Sequence, residues 1–183
     1  MVKAVFLDRD GTINELVQGR EDKKHVSPWY YSEFEYIEGV EEAVTLLRHM
    51  GYTTHVVTNQ PDINDGYTTI ETLDAFNALM KRDLQVNTIS CAMSRNMPDY
   101  KPANGMLEKI IKEWCVTRER SWMIGDSWKD IVAGYNSGVK TIYLGSEYTC
   151  PKEYDNIKPD YIRDNLLQAA QLIQMYSNSV SEE

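Results

Sequence analysis

Short apolar runs and amphipathic stretches alternate along this chain. The run KAVFL, Lys3 to Leu7, stops at DRDG, the pattern of a buried strand that enters a turn. From about 15 to 38 the pattern is irregular. Charges in REDKK precede the aromatic-rich WYYSEFEYI, which predicts a long loop or flap. Val40, Ala43, Val44 and Leu47 then recur at helical spacing, and Gly51 stops that helix. YTTHVVTNQ predicts a second strand ending near Thr58, and the Pro, Asp, Asn and Gly residues of 61–66 predict a loop. Thr68, with Glu71 three residues later, reads as a capping box for a helix through Leu73, Phe76, Leu79 and Met80. Further strands are expected from Val86, over 120–125 and over 139–144. Helices are expected after Asn104, over 127–136 and over 162–176, with a loose tail at 177–183.

This alternation predicts an α/β fold: a three-layer, Rossmann-like parallel sheet with helices on both faces and right-handed crossovers. The 183 residues fit a single domain, 1–183, with the flap as its one irregular excursion. Such sheets bind ligands at the carboxyl ends of their strands, near a topological switch. Four polar segments, DRDGT, TNQ, YKP and GDSWKD, follow apolar runs, so the fold would gather them on one rim.

That rim suggests chemistry. Asp8 and Asp10 stand two residues apart, and paired carboxylates repel unless a cation or a shared proton intervenes. Magnesium suits an all-oxygen site, and Asp126 joins Asp8 as the expected ligand pair, with Asp130 four residues on. Asp8 is expected to attack phosphorus and form an aspartyl-phosphate; Asp10 would protonate the leaving alcohol and later activate water. Thr58 would hold phosphoryl oxygens and Lys101 would neutralise developing charge.

The formal net charge of −9 provides no basic stripe for nucleic acid. Three cysteines and three histidines, widely spaced, make neither a disulfide framework nor a zinc cluster. No apolar run reaches membrane-span length, and the charges after Leu7 argue against a signal peptide. The expectation is a cytoplasmic protein whose partner is a small phosphorylated metabolite, without nucleic acid or membrane, as a monomer or small homo-oligomer.

DRDGTIN, VVTNQ, YKP and GDSWKDIVAG together resemble the four motifs of the haloacid dehalogenase-like phosphatases, in order, over about residues 3–145. DRDGTIN, with Arg9 and Asn14, and the segments SPWYYSEFEYIEG and TNQPD are similar to the heptose bisphosphate and histidinol-phosphate phosphatase subgroup. The resemblance implies a core without a large cap domain. It implies Asp8 as nucleophile and magnesium ligand, and Asp10 as acid/base that also ligates magnesium through its carbonyl. Thr58 and Asn59 would hold the transferring phosphoryl group, with Lys101 as the third-motif lysine. Asp126 would ligate the metal, supported by Asp130, with Arg9 and Asn14 as further supports. Relatives often carry a zinc loop before the third motif; here CAMSRNMPDYKP holds only Cys91, so no zinc is expected. Relatives also usually carry Arg where this chain has Tyr100, which puts Tyr100 at the substrate and makes Arg95 a candidate replacement. Lys23, Lys24 and His25 are candidates for local positive charge in the flap.

The implied reaction is magnesium-dependent hydrolysis of a small sugar phosphate, D-glycero-D-manno-heptose 1,7-bisphosphate or a close relative. Histidinol phosphate or another small metabolite is the enzymatic alternative. A receiver-like phosphorylation switch is the non-enzymatic one, opposed by Asp10, which would hydrolyse the phosphoryl group that a switch must keep.

Overall fold

The computed structural model describes residues 2–20 and 23–180. Six strands form one parallel sheet: β1 (Lys3–Leu7), β4 (Tyr52–Asn59), β5 (Thr88–Ala92), β6 (Trp122–Gly125), β7 (Lys140–Leu144) and β8 (Tyr161–Arg163), in the order β5-β4-β1-β6-β7-β8. The chain builds outward from β1 through β4 and β5, then returns to the other side of β1 with β6. The switch therefore lies between β1 and β6, where a crevice opens beyond the strand ends. Leu7 is in register with Val56 on one side and Ile124 on the other; β6 ends one residue beyond this level and β4 runs three residues further, to Asn59.

Alternation along β1 sorts the two faces. Val5 and Leu7 join a core cluster with residues of α1 (Val40–His49) and α5 (Leu166–Val180). Ala4 and Phe6 point the other way, against α3 (Gly105–Trp114) and Ala133 of α4 (Trp128–Asn136). Both faces are thus covered by helices, the three-layer arrangement that the apolar pattern predicts, and no large cap domain interrupts it among the described residues. His55, fully buried in β4, is held through both ring nitrogens by Thr53 and Thr88 hydroxyls at 2.9 and 2.8 Å.

Four expectations need correction. The stretch at 15–38 contains an antiparallel hairpin, β2 (Val17–Arg20) and β3 (Lys23–Val26), and a 3-10 turn at Tyr31–Glu33, so it is not simply a loop. The side chains of Lys23, Lys24 and His25 lie outside those described. Helix α2 (Ile70–Asp83) is capped by Thr69, whose Oγ1 accepts the Thr72 amide at 3.2 Å. Thr68 instead donates its hydroxyl to the Trp29 carbonyl at 2.8 Å, which ties the flap to the domain. Residues 161–163 form β8 rather than the start of the last helix. Asp160 Oδ2 accepts the amide and hydroxyl of Thr141 at 2.7 and 3.0 Å and docks this edge strand on β7. Helix α5 continues past Tyr176 to Val180, while 181–183 lie outside the described residues.

Candidate active site

The chain leaves β1 through Asp8, whose amide still donates to the Ile124 carbonyl of β6 at 3.0 Å. The strand ladder thereby fixes the Asp8 backbone at the switch point. The Arg9 carbonyl then accepts the amides of Ile13 and Asn14 at 2.7 and 3.1 Å, which folds DRDGTIN into a tight turn. Gly11 is required there. Its φ is +77°, and an added Cβ would lie 2.1 Å from Asp126 Oδ2. The β1 turn and the β6 turn therefore interlock.

Asp126 follows β6 directly, and Asp130 sits in the first turn of α4. Asp130 Oδ2 accepts the Ser127 amide at 3.0 Å, while Ser127 Oγ accepts the Lys129 amide at 3.3 Å. This reciprocal cap aims the buried Asp130 inward. Lys101, also buried, bridges the two sides: its Nζ is 2.6 Å from Asp130 Oδ1 and 2.9 Å from Asp8 Oδ1. The lysine is held by its backbone too. Asn59 Nδ2 donates to the Lys101 carbonyl and Asn59 Oδ1 accepts the Lys101 amide, both at 2.9 Å. Asn59, expected from its motif to hold the phosphoryl group, thus also docks the third motif onto β4.

Oxygens of Asp8, Asp126 and Asp130 all lie within 4.8 Å of one another. Three carboxylates share one ammonium. Burial, then Asp8 and Asp130, push the Asp126 carboxyl up to about 8. Burial and Asp8 raise Asp130 as well, with Lys101 pulling it back. For Lys101, burial opposes the charge, but Asp130 and Asp8 outweigh it and raise its pKa. Such crowding calls for a dication, and a donor set of carboxylate oxygens suits magnesium rather than zinc.

Asp10 has a different environment. Its carboxylate stands outside that triad and accepts from Arg9 Nε and Nη2, both at 2.9 Å. It accepts also from Asn14 Nδ2 at 3.0 Å and Gln60 Nε2 at 2.7 Å. Gln60 Nε2 also reaches Thr58 Oγ1 at 2.9 Å, and Gln60 Oε1 accepts from Arg9 Nη2 at 2.8 Å. Gln60 is absent from the sequence-derived site. The only signal for it was its position in TNQ, two residues after Thr58.

A cavity of about 210 Å³ opens above these groups, lined by Asp8, Asp10, Thr58, Asn59, Lys101 and Tyr100 among others. Asp126 faces an adjoining cavity of about 330 Å³ beside Gly11 and Glu15, so the carboxylate triad sits between the two spaces. Ser27, Asp62 and Lys129, none of them expected at the site from the motifs, also line the first cavity. Asp62 accepts from Trp29 Nε1 at 2.9 Å, and Trp29 stacks on Tyr67 at 4.5 Å, which seats the aromatic flap beside the cavity. Arg95 is not aimed at the cavity as a free cation: Asp65 grips it with two bonds of 2.9 and 2.7 Å. A cavity of about 170 Å³ near Lys3, Tyr52 and Trp122 lies at the opposite, amino end of the sheet, away from every carboxylate of the triad.

Residues 100–169 match the family model described as HAD-hydrolase-like. A D-glycero-beta-D-manno-heptose-1,7-bisphosphate 7-phosphatase of Helicobacter pylori is 33% identical over 151 residues, covering 78% of this chain and 83% of that protein. The chain belongs to the haloacid dehalogenase-like phosphatases. A D-glycero-D-manno-heptose-1,7-bisphosphate 7-phosphatase of Chlorobaculum tepidum is 31% identical over 191 residues, covering 91% of this chain and 92% of the relative. The crystal structure of a D,D-heptose 1,7-bisphosphate phosphatase from B. bronchiseptica, complexed with magnesium and phosphate, superposes with a TM-score of 0.77 at 22% identity. It covers 95% of this chain and 99% of that one, and at that identity the likeness concerns the fold. Within the haloacid dehalogenase-like phosphatases this chain is a magnesium-dependent enzyme with aspartate-based chemistry, so the phosphorylation-switch alternative falls. No helix among the described residues is long and apolar enough to cross a membrane.

Proposed function

We propose that this chain is one catalytic domain that hydrolyses a phosphate ester of a small sugar bisphosphate, of the heptose 1,7-bisphosphate kind on which its relatives act. The observation that carries the reading is the Lys101 bridge between Asp8 and Asp130, with Asp126 beside them, at the switch point of the sheet. Asp8 attacks phosphorus: a bond forms from its carboxylate oxygen, and the bond from phosphorus to the sugar oxygen breaks. Asp10 gives its proton to that departing oxygen. It then takes a proton from water as the water attacks the aspartyl-phosphate, which releases inorganic phosphate and restores Asp8.

The cradle of Arg9, Asn14 and Gln60 sets the direction of the Asp10 carboxyl and acts as a positioning shell. Lys101 orients Asp8 and offsets the charge that accumulates around phosphorus. Thr58 is proposed to hold a phosphoryl oxygen, Asn59 to keep Lys101 in place, and Tyr100 to border the substrate. Asp8, Asp126 and the Asp10 carbonyl would hold magnesium, with Asp130 behind them. Bound there, the ion would neutralise phosphate charge and relieve the repulsion among the carboxylates. The acidic surface and absence of a basic stripe support a small-molecule substrate over nucleic acid, and we place the enzyme in the cytoplasm as a monomer or small homo-oligomer.

The test is phosphate release from p-nitrophenyl phosphate, histidinol phosphate, a 3'-phosphorylated oligonucleotide and the heptose 1,7-bisphosphate, with magnesium and after chelation. The heptose bisphosphate is expected to have the highest kcat/KM, and chelation to stop turnover. Asp8→Asn is expected to lower kcat by about 10⁴-fold or more, the scale for losing a covalent nucleophile. Equal rates across the panel would remove the substrate assignment, and a fully active Asp8→Asn would remove the mechanism.

A further inference from the structure

Among the described residues, one cation at the cavity has no carboxylate partner. Arg9 is engaged by Asp10 and Gln60, Lys101 by Asp8 and Asp130, and Arg95 by Asp65. Lys129 lines the same cavity, yet among the described residues no carboxylate lies within ion-pair distance of it. Its Nζ stands 5.6 Å from the centre of the Tyr100 ring and 6.0 Å from that of Trp128. Aromatic faces steady an ammonium without neutralising it, so the charge remains available to an incoming anion.

The backbone supports this placement. Lys129 is the second residue of α4, and the Ser127 cap fixes its amide at 3.3 Å. The next residue, Asp130, is locked to Lys101. The start of α4 is therefore fixed on the catalytic side, and the Lys129 side chain leaves it toward the cavity wall formed by Tyr100. Tyr100 is half-buried against the core cluster of α3, so the ring is a fixed platform. Its hydroxyl makes no hydrogen bond to a described side chain and can donate alongside the ammonium.

We propose that Lys129, steadied on the Tyr100 ring, is a specificity determinant that binds the second phosphate of the substrate, the one that is not transferred. This rests on the sugar-bisphosphate reading above. The reacting phosphoryl group has Lys101, Thr58 and the metal-competent carboxylates; the second phosphate needs its own cation, and among the described residues that line the cavity Lys129 is the one that no carboxylate has claimed. A phosphate held by an ammonium and a phenol hydroxyl, outside the carboxylate triad, would select bisphosphates over monophosphates of the same sugar.

The experiment compares kcat/KM for D-glycero-D-manno-heptose 1,7-bisphosphate and for the corresponding 7-phosphate, at saturating magnesium, in the full chain and in Lys129→Gln and Lys129→Arg. The ratio of the two values is expected to fall about tenfold or more in Lys129→Gln, the scale of one charge-assisted hydrogen bond, chiefly through KM for the bisphosphate. Lys129→Arg is expected to restore most of the ratio. Raising ionic strength should erode the parent's preference and leave that of Lys129→Gln nearly flat. A ratio unchanged in Lys129→Gln, or kcat/KM lowered equally for both substrates, overturns the assignment while the phosphatase reading stands. A parent chain that releases no phosphate from p-nitrophenyl phosphate with magnesium overturns that reading, and the Lys129 assignment with it.

Discussion

The rim at the ends of β1, β4 and β6 and the loops that overlook it are held in contrasting ways. On the rim, Lys101 and Asp10 each have several partners. Lys101 is fixed by two carboxylates and a reciprocal pair of bonds to Asn59, and Asp10 accepts four side-chain bonds. On the overlooking side, Arg95 is exposed and held by Asp65, while Lys129 rests on rings. Buried charges must be paired and saturated, because an unsatisfied one in a low-dielectric site is costly. Groups at the solvent edge carry no such demand. Chemistry is consequently placed where the fold enforces geometry, and recognition where substitutions leave the fold intact.

Removing the Lys101 charge tests the rim most severely. Lys101→Met leaves Asp8 and the buried Asp130 without their ammonium, and a broken buried ion pair costs about 3–5 kcal/mol. Urea unfolding should show that loss in the metal-free protein, and magnesium should recover more stability in the variant than in the parent, since the dication can assume part of the lost charge. Equal stability of variant and parent would mean that the pair is not holding the rim.

His55 separates the scaffold's acid response from that of the rim. Burial lowers its pKa from 6.5 to about 4, with both ring nitrogens bonded to threonine hydroxyls. Above pH 6.5 the ring is neutral in both states and costs nothing. Between pH 6.5 and 4 the unfolded chain takes up a proton that the folded chain refuses, so stability falls as pH falls, by about 3 kcal/mol at about 1.4 kcal/mol per unit. His55→Gln should flatten the decline of Tm across that window. Parallel curves for the two proteins would assign the acid sensitivity elsewhere.

A smaller effect is expected at the cradle. Gln60→Ala removes one donor to Asp10 and the link to Thr58, while Arg9 and Asn14 still hold the carboxylate. Losing one positioning hydrogen bond is worth about 1–2 kcal/mol, so kcat should drop about tenfold with KM little changed. A rise in KM alone would make Gln60 a binding group instead. At the overlooking loop, Asp65→Ala releases Arg95. An exposed pair is worth about 1 kcal/mol at most, so Tm should barely move. A large fall would show that this loop is built as tightly as the rim.

The sequence patterns reach quite unevenly into this structure. Strand β1 was legible because five residues alternate between two buried faces and end at a turn. β8 was not: it has three residues, none fully buried, and its place comes from Asp160 bonding to Thr141 of the neighbouring strand. Thr68 and Thr69 are equivalent cap candidates by composition, and only the Trp29 carbonyl, which takes the Thr68 hydroxyl, separates them. At the site, the motifs predicted that Asp8, Asp10, Lys101 and Asp126 would share one rim, and the structure brings them together there. Gln60 and Lys129 were not predicted, because their importance lies in partners 50 and 29 residues away, at Asp10 and Tyr100.

Apolar periodicity and local polar motifs determined the parallel α/β layering and the chemistry at its rim. Both are written in neighbouring residues, whose burial and turn preferences act over a few positions. The tertiary structure alone decided which carboxylate faces the metal-competent triad and which faces the Arg9, Asn14 and Gln60 cradle. It also left Lys129, among the described residues at the cavity, without a carboxylate partner. Asp8 and Asp10 are chemically the same side chain two residues apart. The Gly11 turn sends their carboxylates to different partners, and those partners come from β4, β6, α4 and the loop before α3, brought together only when the sheet closes.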